Sequence, residues 1–374
     1  MAIYKLFPTA DATLYSGYVN ANTGLDEILE ASTDFKISNP QVQGANPQAS
    51  RFLLKFSPAE IENIFATKIL DSTWKANFKA YTANVTGLTS TSTVNINALA
   101  EDWNMGTGKY LDLPETQDGV SWKNRTYEGG TQWTTSSFAS GTTGSFNLST
   151  NLTSAGGGVW HIGSEASYSF SYYTDPDIRV DVTSIVTNWS SSTFPNYGII
   201  VRQSASQEFI DNIHEQTTLK YFSRDTHTIF PPELEFKWDD FSYNTGSLTV
   251  LNTLPATLTL SNNPGVFYSG SVNRFRVNAR PTYPPKVYQT GSTYTTNYAL
   301  PAESFYRVKD VYTNEVAIEY DSSYTKISCD STGGYFDLYL DGLQPERYYK
   351  IEIKTTIGDT VLIQDTEEFK ISNE

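Results

Sequence analysis

Short runs in which apolar and polar residues alternate, cut by turn residues, constrain this chain more than anything else in it. Phe52, Leu54 and Phe56 alternate with Arg51, Leu53 and Lys55; Trp74, Ala76, Phe78 and Ala80 repeat the pattern, and Val94, Ile96 and Ala98 continue it. A period of two belongs to a strand with one face buried. Helical spacing is confined to short pieces. Pro58-Ala59-Glu60-Ile61 opens one of them, with proline where the first turn tolerates it. The other follows Asp181, whose carboxylate can accept from the free amides at a helix start; Ile185, Val186 and Trp189 then share one face until a serine run and Pro195 end it. Asn196-Tyr197-Gly198 supplies a turn and Ile199-Ile200-Val201 a buried strand. The stretch 181–203 therefore reads as a plug that presses Trp189 and Ile185 under a sheet. Many strands and few short helices place the chain in the all-β class, with a jelly-roll β-sandwich over its N-terminal part.

Composition agrees and narrows the partners. Only 18% of residues are charged while 14% are aromatic, a balance that favours strands. With 41 acidic against 26 basic side chains, the net charge is -15, which argues against nucleic acid and against an anionic membrane surface. No run approaches the roughly 18 apolar residues of a membrane span. Met1 leads directly into AIYKLFPTADATLY without a basic and then apolar leader, so the sequence predicts synthesis in the cytoplasm without Sec export. Cys329 is the sole cysteine and excludes an intrachain disulfide.

The texture changes after Trp238-Asp239-Asp240, which predicts two domains, 1–240 and 241–374. Beyond that point NRFRVNARP, EVAIEYD, YFDLYLDGL and YYKIEIK alternate between Asn, Pro and Gly turns, the pattern of a second sandwich. In Leu343-Gln344-Pro345 followed by Tyr349, this part resembles the tyrosine corner of fibronectin type III and immunoglobulin-like domains. The resemblance implies an immunoglobulin-like β-sandwich in which the Tyr349 hydroxyl returns to the backbone.

Several segments of residues 8–238 carry another likeness. DATLYSGYVNANTG, SRFLLKF, VSWKNR, DVTSIVTNW, NYGIIV and FSRDTHTIFPPELEFKW occur in an order similar to that of DNRLRE domains, β-sandwich modules of bacteria and phages related to some carbohydrate-binding modules. That likeness implies core packing for Trp122 and Trp189, and it allows a calcium ion. The Gly-, Ser- and Thr-rich stretch 102–158 is an excess over the usual module. The start MAIYKLFPTADATLY, the run Tyr221–Thr228 and a second domain beyond it resemble virion structural proteins of T4-like marine phages (cyanophages). This implies a particle component of tail, baseplate, neck or capsid surface, located in the virion, with other virion proteins and itself as partners.

Chemistry-bearing residues are sparse. His161, His214 and His227 lack metal-ligand spacing, Gly156-Gly157-Gly158 lacks the Lys-Ser/Thr of a phosphate loop and reads as a flexible turn, and no Gly-x-Ser-x-Gly elbow occurs. The sequence thus assigns neither catalytic nor cofactor-binding residues. Glu101, Asp102, Asp112, Asp118, Asp175 and Asp177 fall in loops, where solvated acids, a calcium site or a glycosidase pair are the readings. Trp103, Trp122, Trp133 and Trp160 lie in or near the same loops. Trp103 and Trp133 read equally as buried core residues or as platforms on which a sugar ring could stack. Assembly into a virion without enzymatic turnover is the expected function; binding of host surface glycan is the alternative, and glycan cleavage stands third.

Overall fold

The alternating runs form strands of an all-β sandwich architecture. The computed structural model describes residues 2–36, 46–69, 73–88, 91–145, 156–208, 217–284 and 296–373. His214 and the parts of the long loops at 146–155 and 285–295 lie outside the described residues. In chain order the strands are β1 (Ala2–Leu6), β2 (Ala10–Tyr15), β3 (Ile28–Lys36), β4 (Asn46–Lys55), β5 (Trp74–Ala80), β6 (Thr82–Thr86), β7 (Ser92–Ala98) and β8 (Thr142–Ser145). They continue with β9 (Gly156–His161), β10 (Ala166–Phe170), β11 (Ile178–Asp181), β12 (Ile199–Gln203), β13 (Thr218–Phe222) and β14 (Glu233–Trp238). The last nine are β15 (Ala256–Ser261), β16 (Val266–Tyr268), β17 (Val272–Pro281), β18 (Ser304–Asp310), β19 (Val316–Ile318), β20 (Ser328–Asp330), β21 (Gly333–Tyr339), β22 (Tyr348–Ile357) and β23 (Thr360–Ser372). The α-helices are α1 (Pro58–Thr67), α2 (Thr183–Ser190) and α3 (Ala205–Glu208).

Two compact units result, and they are not consecutive stretches. One comprises Phe7–Leu70 with Ala76–Leu234; the other comprises Met1–Leu6, Asp71–Lys75 and Glu235–Glu374, so the opening strand groups with the chain beyond Asp240.

In the larger unit the main sheet runs β10-β7-β12-β4-β3-β13-β6, with β2 also paired to β4. Strand β4 is central: Leu54 faces Ile199 of β12 on one side and Asp11 of β2 on the other. Both of its faces are covered, a departure from the half-buried strand that its alternation predicts. Phe52 and Leu54 fill one face, while Arg51 and Leu53, on the other, are equally inaccessible. A buried guanidinium needs partners. Glu208 supplies two oxygens at 2.5 and 2.9 Å, Gly157 O accepts at 2.6 Å, and the rings of Trp122 and Trp160 lie 4.8 and 5.2 Å away. Gly157 (φ +77) is therefore no flexible turn: a Cβ there would sit 2.8 Å from Trp122 and 2.9 Å from Arg51.

The two longer helices start as their sequences dictate. Ser57 caps α1, its Oγ accepting from Glu60 N, whereas α2 has Val182 at its N-cap without a side-chain cap, and Asp181 just before it accepts from Thr183 N at 2.9 Å. Ile185, Val186 and Trp189 form the buried side of α2. Gly198 then turns the chain into β12 at φ +93, where a Cβ would meet Leu54 O at 2.1 Å.

The other unit packs the sheet β15-β17-β21-β20 with the sheet β16-β23-β22-β18-β19. Phe275, Phe336, Tyr306, Ile351 and Phe369 lie in its core, with Tyr306 stacked on Phe336 at 4.1 Å. Tyr349, 3% exposed, donates its hydroxyl to Gln344 O at 3.2 Å, five residues upstream.

Candidate functional site

Residues 99–141 contain little regular structure, yet they are pinned from beneath. Trp103, Trp122 and Trp133 are 2%, 0% and 2% exposed and share a core with Leu14, Leu53 and Ile200. The indole N–H of Trp103 donates to Tyr197 O, and that of Trp133 to Ser121 O, each at 3.0 Å. Stacking a sugar requires an open ring face. Of the two readings open for Trp103 and Trp133, burial favours the core: with Trp122 they roof one face of the sheet.

Asn22 ties this roof to the start of the unit. Its Nδ2 donates to Met105 O at 2.6 Å and Val120 O at 2.8 Å, and its Oδ1 accepts from Gly108 N at 2.7 Å. Three such bonds to a buried amide leave it little freedom. Close approach demands glycine here: a Cβ at Gly108 would lie 2.4 Å from Asn22 O. A few residues upstream, the buried Asp11 carboxylate accepts from Arg224 N at 2.7 Å, and the Arg224 guanidinium donates to Thr9 O. The segments DATLY and Phe222–Thr228, with Asp11 and Arg224 213 positions apart in sequence, are thus joined directly. Burial pushes the Asp11 carboxyl up to about 7; the Arg224 amide opposes this, and the charges of Asp225 and Asp26 add to it.

The loop acids are engaged one by one. Glu101 accepts from Thr134 N and Oγ1, Asp102 from Lys55 Nζ at 2.6 Å, and Asp112 from Lys109 N at 2.8 Å. Asp118 accepts from Thr107 N and Oγ1 at 2.9 and 2.5 Å; burial works against these bonds, but they hold its carboxyl below the ordinary range. Asp177 accepts from Thr82 N, and Asp175 from Asp177 N. Among the described residues no group of three or more His, Cys, Asp or Glu side chains could hold a metal ion. His161 stacks on Phe194 at 3.8 Å, and burial lowers its pKa. Cys329 is buried, and its thiol is pushed up by that burial.

One concavity among the described residues is not singled out as such by the sequence patterns. A cavity of about 680 Å³ opens between α1, the end of α2 and the segment 192–196. Phe65, Trp189 and Phe194 give it ring surface, and Glu62, Ser192 and Asn196 give it polar atoms. Its walls are fixed by their surroundings: Phe194 by the His161 stack, and Asn196 by bonds to Phe56 O and Gly198 N at 3.3 and 3.1 Å. Trp189 is 7% exposed, and its indole N–H is buried without a hydrogen-bond partner. Asp181, exposed at the opposite end of α2, serves the helix start and not the cavity.

No protein-family model matches the chain, and no curated protein matches it either.

Proposed function

We propose that this protein is a structural component of a phage particle and acts through contacts with other particle proteins and with further copies of itself. One observation carries the reading. The loop that Asn22 pins holds Leu111 and Leu113 in solvent, 60% and 97% exposed, with Tyr127 at 53%. Apolar side chains exposed on an anchored loop are what a subunit contact requires, because the loop loses little freedom when it is covered. The bond between the Arg224 amide and the Asp11 carboxylate, which joins the first and last of the quoted motifs, supports the likeness to sandwich modules of phages. Glycan attachment, the second reading, no longer has Trp103 and Trp133 to carry it and rests on the α1–α2 cavity alone.

A mass-spectrometric inventory of washed particles of the encoding phage, with subassemblies separated, tests the proposal. The chain is expected at stoichiometric level in one subassembly. Its absence from washed particles overturns the reading.

A further inference from the structure

We infer that Lys237 and Asp321 condense into an amide cross-link inside the unit that holds the C-terminus, with Glu235 as the proton carrier. Three groups meet there in the arrangement that such a reaction needs. Lys237 and Glu235, two positions apart on β14, share a face of the strand, and Lys237 Nζ lies 3.0 Å from Glu235 Oε1. Asp321 approaches from the segment after β19, its Oδ2 3.3 Å from the same Nζ. The backbone holds its other oxygen: Oδ1 accepts from Ser323 N at 2.7 Å and from Tyr324 N at 3.1 Å. Two N–H donors on one carboxyl oxygen stabilise the charge that gathers there when a nucleophile adds to the carbon. The site is also withdrawn from water, Glu235 being 2% and Lys237 17% exposed.

An ordinary ion pair needs less than this. Lys309 and Lys350 each pair with one carboxylate, Glu352 and Asp365. At Lys237 two carboxylates share one ammonium, so one acid takes up its protons while the other is attacked. In the step itself the Nζ–Cγ bond forms and the Cγ–Oδ2 bond breaks. Two protons of the ammonium, carried by Glu235, leave with Oδ2 as one water; nothing is oxidised or reduced, and no co-reactant enters. Holding the two reacting groups in contact supplies the effective concentration that amide formation in water otherwise lacks. The product ties together residues 84 positions apart, in a chain whose single cysteine allows no intrachain disulfide. The inference does not depend on the particle reading, and the two fail separately: one by the particle inventory, the other by the mass of the purified chain.

Intact mass spectrometry of the full chain, unfolded after prolonged incubation at neutral pH, tests it. The chain is expected to weigh one water, about 18 Da, less than its sequence requires. Trypsin is expected to leave a branched peptide that joins Lys237 to Asp321. Lys237→Arg and Asp321→Ala should each restore the full mass. Asp321→Asn is the sharper variant, because ammonia then leaves in place of water and the loss becomes about 17 Da. Glu235→Gln keeps both ends of the cross-link and should slow its formation about a hundred-fold; an unchanged rate would overturn the role given to Glu235. If that buried substitution prevents folding, Asp321→Asn still decides, since Asp321 is 28% exposed and the amide keeps the carboxylate's shape. A full sequence mass for the parent chain overturns the inference. So does a loss of water that survives Lys237→Arg, or an Asp321→Asn variant that loses water and not ammonia.

Discussion

Asp11 shows how a single buried carboxylate couples this fold to pH. An aspartate in an unfolded chain titrates near 3.9, whereas burial moves Asp11 up to about 7 in the folded protein. Between those values the folded state keeps a proton that the unfolded state has lost. Stability therefore falls as pH rises through that window and levels off above it. Asp11→Asn keeps a carbonyl oxygen for the Arg224 amide and removes the ionisation. The variant is expected to lose this slope and to exceed the parent at pH 8 by about 1 kcal/mol or more. Urea unfolding of both proteins at pH 5 and pH 8 measures it; an equal change between the two pH values in both would sink the assignment. Opposite in sign, Glu352 accepts from Lys309 and Tyr320 and pairs with the charge of Arg307, which together outweigh its burial and hold its carboxyl at about 2. Its stabilising contribution is present above the unfolded value near 4.3 and fades as pH falls toward 2.

At the scale of elements, the edges of the sheets matter most for a protein proposed to assemble. Edge strands with free amides recruit neighbours indiscriminately, and β15 is such an edge. Its outward amides are occupied, however: Leu258 N donates to Gln364 Oε1 and Leu260 N to Glu367 Oε2, both at 3.2 Å, while Gln364 Nε2 returns a bond to Leu258 O at 2.8 Å. Replacing Gln364 and Glu367 together by alanine exposes this edge. Sedimentation velocity should then show stronger concentration-dependent association than in the parent chain; identical profiles would mean that the edge needs no such cover. Strand periods and helix starts were legible in the sequence, because alternation and caps are local properties. Burial of Arg51 was not, since Glu208 stands 157 residues away. Trp103 and Trp133 could be read either as core or as surface until Tyr197 O and Ser121 O are seen to satisfy their indoles. The cavity was equally hidden: Phe65 and Phe194 belong to separate elements, and only tertiary packing brings them to one wall.

The molecule as a whole divides in a way that a linear reading cannot anticipate, because its first strand completes its last unit. The run Ala2–Leu6 is buried throughout, although β1 is an edge strand of its sheet. Ile3, 3% exposed, joins the core of Phe275 and Phe336; Tyr4 meets Tyr339 edge-on at 5.9 Å, and Lys5 Nζ donates to Ala317 O at 2.7 Å. Burying Ile3 alone is worth roughly 2 kcal/mol, and Tyr4 adds a comparable amount. Removing residues 2–6 should therefore destabilise the unit containing the C-terminus, more than three hundred positions away in sequence from the deletion, while leaving β4 and β12 unaffected. Hydrogen exchange resolves the two units within one sample. In the shortened chain the amides of β21 are expected to exchange about a hundred-fold faster, the counterpart of ~3 kcal/mol, with β4 unchanged. Unaltered protection of β21 would show that this unit holds together without its opening strand; a matching loss in β4 would show that the two units unfold as one.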